Sequence, residues 1–333
     1  MAFNSDETLP IGKINEKILK LTVFNKRKIF NKEVLNLPNI GRDCAYLEIP
    51  NDIISITTDP ITISDNVSDL AINVVVNDLA ASFATPIAVL VTILLPVGTT
   101  IGEFVNLSKS LEEISNNLNI NIIGGHTEVT DSVNKVVIST VGIGTISKND
   151  FFINKEYIGA DIVMTKTVGI EGTYILANKF KDRLIEYFNE DFVESMLKMK
   201  ENISVLPESE IAKKHNPFLG HDITEGGIYG ALWEISEVTR CGIEVDIDKI
   251  LIAQETIEIC EYFNINPYKL ISSGSMLIVC KNGDELVSEL ELNNINASVI
   301  GKITDNKEKI IFKDGKKSFI YPQTKDEIYN VDM

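Results

Sequence analysis

The chain has 333 residues, a formal net charge of −17, and 44% hydrophobic and 24% charged residues. That length exceeds one typical domain and suits two with real cores, while the composition excludes a disordered or fibrous chain. The charge repels a phosphate backbone and no Lys/Arg cluster is dense enough to overcome that repulsion, so nucleic acid is not an expected partner.

Residues 1–20 carry Asp6, Glu7 and Lys13 and lack an apolar core of signal-peptide length, which makes the cytoplasm the expected compartment. Behind a Pro10-Ile11-Gly12 turn, Ile14, Ile18, Leu21 and Val23 recur at helical spacing and predict a surface helix over 14–24. Alternation over 44–49 and 53–57 predicts two strands joined by the Pro50-Asn51-Asp52 turn. Residues 69–84 place Leu70, Val74, Asn77 and Ala81 on one face among small neighbours, as in a helix packed tightly on a sheet.

The apolar run 86–97 is about half of the ~20 residues a membrane-spanning helix needs, and Thr92 and two prolines punctuate it. It reads as a buried strand over 87–95, and no membrane association is expected. Residues 104–118 repeat apolar side chains at helical intervals, then 120–123 enter a Gly124-Gly125 turn before a strand over 135–146.

Past the polar stretch 147–154 we place a domain boundary near 150, dividing the chain into 1–150 and 151–333. The second half reads as a strand over 161–165, a long helical region from 173 to about 199, helices around 208–214 and 227–239, and strands over 242–245, 275–279 and 297–303. Each half is an alternating α/β domain. The four cysteines, Cys44, Cys241, Cys260 and Cys280, form no CxxC pair, which argues against zinc and disulfides and for reduced core thiols.

Carboxylates stand at or near element ends: Asp43 in Gly41-Arg42-Asp43, Asp59 in Thr57-Thr58-Asp59, Asp78 beside Asn77, and Glu128 after Gly124-Gly125-His126-Thr127. Hard divalent cations take such oxygen ligands, and equally an aspartate at a turn or helix start caps free backbone N–H groups. Asp78 differs, because it lies within an apolar helix face where a buried carboxylate needs a cation or a hydrogen-bond donor. His221-Asp222-Ile223-Thr224-Glu225-Gly226-Gly227 sets three ionisable groups before a helix start able to hold phosphate, with Asp222 as a metal ligand and His221 as a proton carrier; a plain N-cap with an exposed histidine fits as well. Lys166-Thr167-Val168-Gly169-Ile170-Glu171-Gly172 suits a phosphate-binding turn but lacks P-loop spacing. Ser272-Ser273-Gly274-Ser275 lines a cleft or simply turns the chain into the following strand.

Taken in order, GRDCA, TTD, VNDLA, GGHTE, KTVGIEG, HDITEGG and SSGS resemble the aminoimidazole ribonucleotide (AIR) synthase superfamily, which includes selenophosphate synthetase, thiamine monophosphate kinase and the hydrogenase maturation protein HypE. The resemblance spans roughly residues 10–305. It looks closest to the HypE-like, AIR synthase-related group, through LPIGKI and IEGT. It implies a two-domain PurM-like α/β fold that dimerises through its N-terminal sheets. It also implies ATP in a cleft with magnesium on the N-terminal acids, and phosphate transfer to an oxygen or similar nucleophile of a small-molecule substrate.

On that basis Asp43, Asp59 and Asp78 match the family's metal-binding acids, and Asp222 and Glu128 join them as expected metal ligands from the reading of their own motifs. Asp43, Thr58, Asn77, Gly124, Gly125, Gly226 and Gly227 form the expected ATP site, with Lys166, His221 and Glu171 as catalytic candidates. Several family members carry an acid at the place of His126, which puts metal ligation by Glu128 in question. The maturation protein ends in a cysteine that accepts a carbamoyl group, whereas this chain has no cysteine after Cys280. Residues 1–20 contain only Gly12 and no reactive cysteine, against selenium activation. A nucleotide-binding maturation scaffold is the alternative to an enzyme, and either role admits a maturation protein as partner.

Overall fold

Residues 52–61 bury every second side chain over most of their length, as a strand does when one face lies on a core. The computed structural model describes residues 34–36, 41, 45–48, 52–62, 67–148, 150–151 and 156–331; the helix expected over 14–24, and Arg42, Asp43 and Cys44, lie outside them. In the first half, β1 (Val34–Asn36), β2 (Ala45–Glu48), β3 (Asp52–Ile61), β4 (Thr85–Pro96), β5 (Asn121–Thr130) and β6 (Val137–Ser147) form a sheet ordered β1-β2-β3-β6-β4-β5. All its pairs are antiparallel except β4–β5.

The expected Gly124-Gly125 turn is instead the middle of β5. The strand absorbs the glycines through a register irregularity opposite Val89 and Leu90. A Cβ at Gly125, whose φ is +146°, would lie 1.8 Å from the Val91 carbonyl oxygen. Close backbone approach within the sheet therefore requires this glycine.

Helix α1 (Val67–Ala81) packs on β3 and β6, and α2 (Ile101–Asn117) packs on α1. Thr100 caps α2 in a reciprocal capping box with Glu103, so the helix begins before the expected residue 104. In α1, Leu70–Ile72, Val74–Val76 and Leu79–Ala81 are all buried, on more than one face. The second half covers what the sheet leaves open: the Ser209 hydroxyl donates to the Ala80 carbonyl at 2.6 Å, and Gly220 lies so close to the Ala81 carbonyl that a Cβ would sit 2.3 Å from it.

The second half is a seven-stranded sheet ordered β13-β12-β9-β11-β7-β10-β8. Its strands are β7 (Asp161–Thr165), β8 (Leu219–Asp222), β9 (Gly242–Asp246), β10 (Met276–Cys280), β11 (Ala297–Thr304), β12 (Lys309–Lys313) and β13 (Lys316–Phe319). Only β12–β9 is parallel. The helices are α3 (Ile170–Lys179), α4 (Lys181–Tyr187), α5 (Glu190–Lys198), α6 (Leu206–Ala212), α7 (Gly227–Thr239), α8 (Gln254–Phe263) and α9 (Gly283–Leu292). The long helical region expected from 173 to about 199 resolves into three helices, and the Asn189 side chain restarts the third by accepting from the Phe192 N–H at 2.8 Å.

Cys241, Cys260 and Cys280 are free thiols; burial pushes Cys260 up to about 12 and Cys280 up to about 11. No described helix is long and apolar enough to cross a membrane.

Candidate functional site

Strand alternation puts Thr57 and Asp59 on the face of β3 that meets α1, and there the Thr57 hydroxyl donates to the Asp78 carboxylate. This donor answers the need of a carboxylate set in an apolar helix face. Thr58 points from the opposite face and is exposed, away from both acids. Glu128 is farther removed. It sits on the edge strand β5, exposed, with its carboxylate 3.3 Å from the His126 ring. Gly124 and Gly125 belong to that same strand. A groove of about 300 Å³ opens beside it, lined by Val91, Ile93, Phe104, Leu111, Ile122 and His126 among others.

Glu171 comes from the other half, in the first turn of α3. The helix enters through Gly169 at φ +73°, whose N–H donates to the Ser272 hydroxyl at 2.8 Å. Ser273 hydrogen-bonds Glu171. The Ser272–Ser275 turn therefore both redirects the chain and fixes this carboxylate. Burial pushes Glu171 up to about 7 against the lowering effect of Ser273, and the charges of Asp326 and Asp59 raise it further. One of its oxygens, Oε2, is buried without a hydrogen-bond partner. Asp59 and Glu171, one from each half, thus feel each other's charge.

Asp326 escaped the sequence reading. It lies after β13, buried, with one carboxylate oxygen accepting the Gly226 N–H at 2.6 Å and the other the Ile328 N–H at 2.9 Å. The Ile271 N–H binds it too, yet burial outweighs these bonds and pushes it up to about 7. Its only local signal is an Asx cap on the short turn Glu327–Asn330, which says nothing about a partner 100 residues away.

Gly226 and Gly227 open α7 with φ of +89° and +60°, and a Cβ on Gly227 would meet the Tyr268 carbonyl at 2.6 Å. The Gly227 N–H donates to the Thr224 carbonyl at 3.0 Å. Both amides expected to hold phosphate are thus engaged within the chain.

Lys166 and Asn77 serve one backbone segment. At the end of β7, Lys166 donates through Nζ to the carbonyls of Asn202 at 2.8 Å and Ser204 at 2.7 Å, and pairs with Glu208 at 2.6 Å. Burial lowers the lysine and raises the glutamate, each opposed by the partner's charge. From α1, the Asn77 amide donates to the Ile203 carbonyl at 2.7 Å and accepts from the Val205 N–H at 2.9 Å. Two expected site residues therefore clamp residues 202–205 between the halves.

His221 is buried on β8 and pairs with Glu234 of α7 at 2.8 Å, so it is not an exposed histidine. Gly41, at φ +71°, packs on the same helix, where a Cβ would lie 2.4 Å from the Glu234 carbonyl oxygen. The glycine that opens the GRDCA motif therefore meets α7 next to the His221 pair. Asp222 is buried at the end of β8. Among the described residues no three His, Cys, Asp or Glu side chains form a group able to hold a metal; Asp43 stands outside them. Asp59 and Asp78 retain the hard-oxygen chemistry that magnesium takes, and the unsatisfied carboxylate of Glu171 adds negative charge nearby.

Residues 41–146 match the family model described as AIR synthase related protein, N-terminal domain, and 158–314 match its C-terminal domain. The chain belongs to the AIR synthase-related family. It is 27% identical over 315 residues to a putative hydrogenase expression/formation protein of Methanocaldococcus jannaschii, covering 91% of each chain. A carbamoyl dehydratase HypE of Rhodobacter capsulatus is 22% identical over 70% of this chain and 69% of its own.

Among solved structures, the chain aligns with a HypE–HypF complex at TM-score 0.70 and 21% identity, covering 91% of this chain and 99% of that one. A HypE in complex with ATP gives 0.66 and 17%, with 88% and 90% covered. A ThiL complexed with AMPPCP and TMP gives 0.67 and 19%, with 84% and 89% covered. These likenesses establish a shared AIR synthase-related fold.

Proposed function

We propose that this chain is an ATP-dependent, magnesium-requiring enzyme of the HypE-like group that transfers phosphate to, or activates, a small acceptor. The observation that carries the proposal is the fully buried Glu171, whose Oε2 has no hydrogen-bond partner and whose ionised form is disfavoured by burial and, more weakly, by the charges of Asp326 and of Asp59 from the first half. A carboxylate held in a desolvated place costs free energy unless a cation or proton compensates it. Similarity to a HypE in complex with ATP and to a ThiL holding a nucleotide analogue supports ATP as the ligand.

Asp59 and Asp78, with Asp43, would hold magnesium, which when bound neutralises phosphate charge. Glu171, poised near neutrality, would hold or release the proton of the acceptor. Lys166 and Asn77 act by positioning residues 202–205, and His221 by ordering the Glu234 face of α7.

Asp59→Asn and Asp78→Asn are expected to abolish magnesium-dependent phosphate release from ATP across a metabolite panel, with circular dichroism and melting unchanged. Full turnover in both variants would refute the assignment. One observation favours a second reading, a nucleotide-binding scaffold: Asp326 already occupies the Gly226 amide at the helix start. Calorimetric binding of ATP and ADP with no turnover on any acceptor would select it. A homodimer formed through the first sheet, and a maturation protein as partner, belong to either reading; the alignment with a HypE–HypF complex supports the latter. We place the protein in the cytoplasm.

A further inference from the structure

We infer that the edge of the second sheet left unpaired among the described residues, strand β13 with the β12–β13 turn, docks an extended acidic segment of a partner protein. The chain carries −17, yet residues 302–325 hold seven lysines, Lys302, Lys307, Lys309, Lys313, Lys316, Lys317 and Lys325, against Asp305, Glu308 and Asp314. Seven less three is a local +4, which leaves −21 on the remainder. A positive field of this kind in a negative molecule steers acidic partners to one place.

The fold presents that charge on a strand at the edge of the sheet. Among the described residues β13 terminates the sheet and pairs antiparallel with β12 alone, and it exposes all four of its residues. The two strands join through Asp314 and Gly315, at φ +49° and +72°, a tight hairpin turn that sets Lys313 directly opposite Lys316. Like charges placed opposite one another destabilise a strand pair. Neither lysine makes an ion pair with a described residue. Lys317, Lys309 and Lys302 are engaged, with Glu308 at 2.8 Å, Glu237 at 3.2 Å and Asp161 at 3.6 Å, so the unmatched charge lies at the turn.

Lysines on an edge strand often serve to repel other strands, which would account for Lys316 and Lys317. It does not account for the aromatic side chains beside them. Phe319 is 47% exposed with Lys317 over its ring, and Tyr321 is 69% exposed. Exposed aromatics are what interfaces bury. An edge that no described strand covers, unmatched positive charge and accessible rings together suit strand addition by a peptide with alternating acidic and apolar residues, whose main chain meets the edge while its carboxylates meet Lys313 and Lys316. Nucleic acid fits less well, because the remaining −21 opposes any longer polyanion.

The test titrates the full chain with a fluorescein-labelled peptide of alternating valine and glutamate, in parallel with a valine–lysine peptide and a labelled oligothymidylate. Binding of the glutamate peptide is expected to weaken several-fold from roughly 0.05 to 0.3 M salt as screening shortens. It is expected to vanish in Lys313→Glu/Lys316→Glu, to weaken in Phe319→Ser, to survive in Lys109→Glu on α2, and to slow hydrogen exchange of the β13 amides. Equal binding by the Lys313→Glu/Lys316→Glu variant, preference for the oligothymidylate, unchanged β13 exchange, or no binding to the wild type would overturn the inference. So would sedimentation showing that a second copy of this chain covers the edge. None of these readouts involves nucleotide turnover, so the inference stands or falls separately from the proposed enzyme.

Discussion

Glu171 concentrates the electrostatic tension of the site. Its carboxyl is held near 7 in the folded protein by burial, against 4.5 for an ordinary glutamate. Between those values the folded chain keeps a proton that the unfolded chain has lost, so this residue's contribution to stability falls as pH rises from about 4.5 to about 7 and is fully lost above that. Glu171→Gln removes the titration. In EDTA, wild type and variant should therefore diverge across that window, with the variant gaining relative stability toward pH 8. Parallel melting curves would place Glu171 outside the buried cluster. Asp326 behaves in the same direction for the same reason, and its bond to the Gly226 amide ties the segment after β13 to the start of α7.

At the scale of elements, α1 joins the halves. Its Asn77 and the Lys166 side chain grip residues 202–205 from opposite sides of the domain boundary. Asn77→Ala strands a buried carbonyl and a buried N–H and should cost about 2 to 4 kcal/mol in urea unfolding. Lys166→Met leaves Glu208 unpaired and should cost about 3 to 5 kcal/mol, whereas Lys166→Met/Glu208→Leu should recover most of it. If Lys166 contacts phosphate instead, the double variant will be stable and inactive with weakened ATP binding.

Strand β5 depends on one glycine. Gly125→Ala drives a Cβ into the Val91 carbonyl and should cost about 2 kcal/mol or more by the same measurement, through loss of β4–β5 pairing. A near-neutral Gly125→Ala would mean that the Gly-Gly pair is a loop after all.

For the whole molecule, the first sheet ends in a strand with apolar side chains in solvent: Ile123 and Val129 are each 58% exposed. A monomer seldom leaves such an edge open. Light scattering should report a dimer, and Ile123→Glu/Val129→Glu should convert it to monomer without lowering the melting temperature of the second half. A wild-type monomer at micromolar concentration would remove the dimer from the proposal.

Elements with strong local signals were legible in the chain. Strand β7 and helix α7 occupy the expected residues, because an apolar strand run and a glycine-led helical repeat need no distant partner to declare themselves. The breaks within the helical region expected from 173 to about 199 were not legible, since Phe180 and Phe188 continue the apolar repeat while the backbone breaks around them. Nor was the strand through Gly124 and Gly125, where the glycines answer a neighbouring carbonyl and not a turn.

The sequence by itself determined the two α/β halves, the order of the acidic and glycine motifs, and the family those motifs announce. The tertiary structure alone decided that Glu171 is buried within electrostatic reach of Asp326 and Asp59, that Asp326 takes the Gly226 amide, and that Lys166 and Asn77 hold backbone. The reason is separation along the chain. Local patterning records whether a residue faces a core, but the partner of a buried polar group lies wherever packing brings a complementary atom. For Asn77 that atom is 126 residues away.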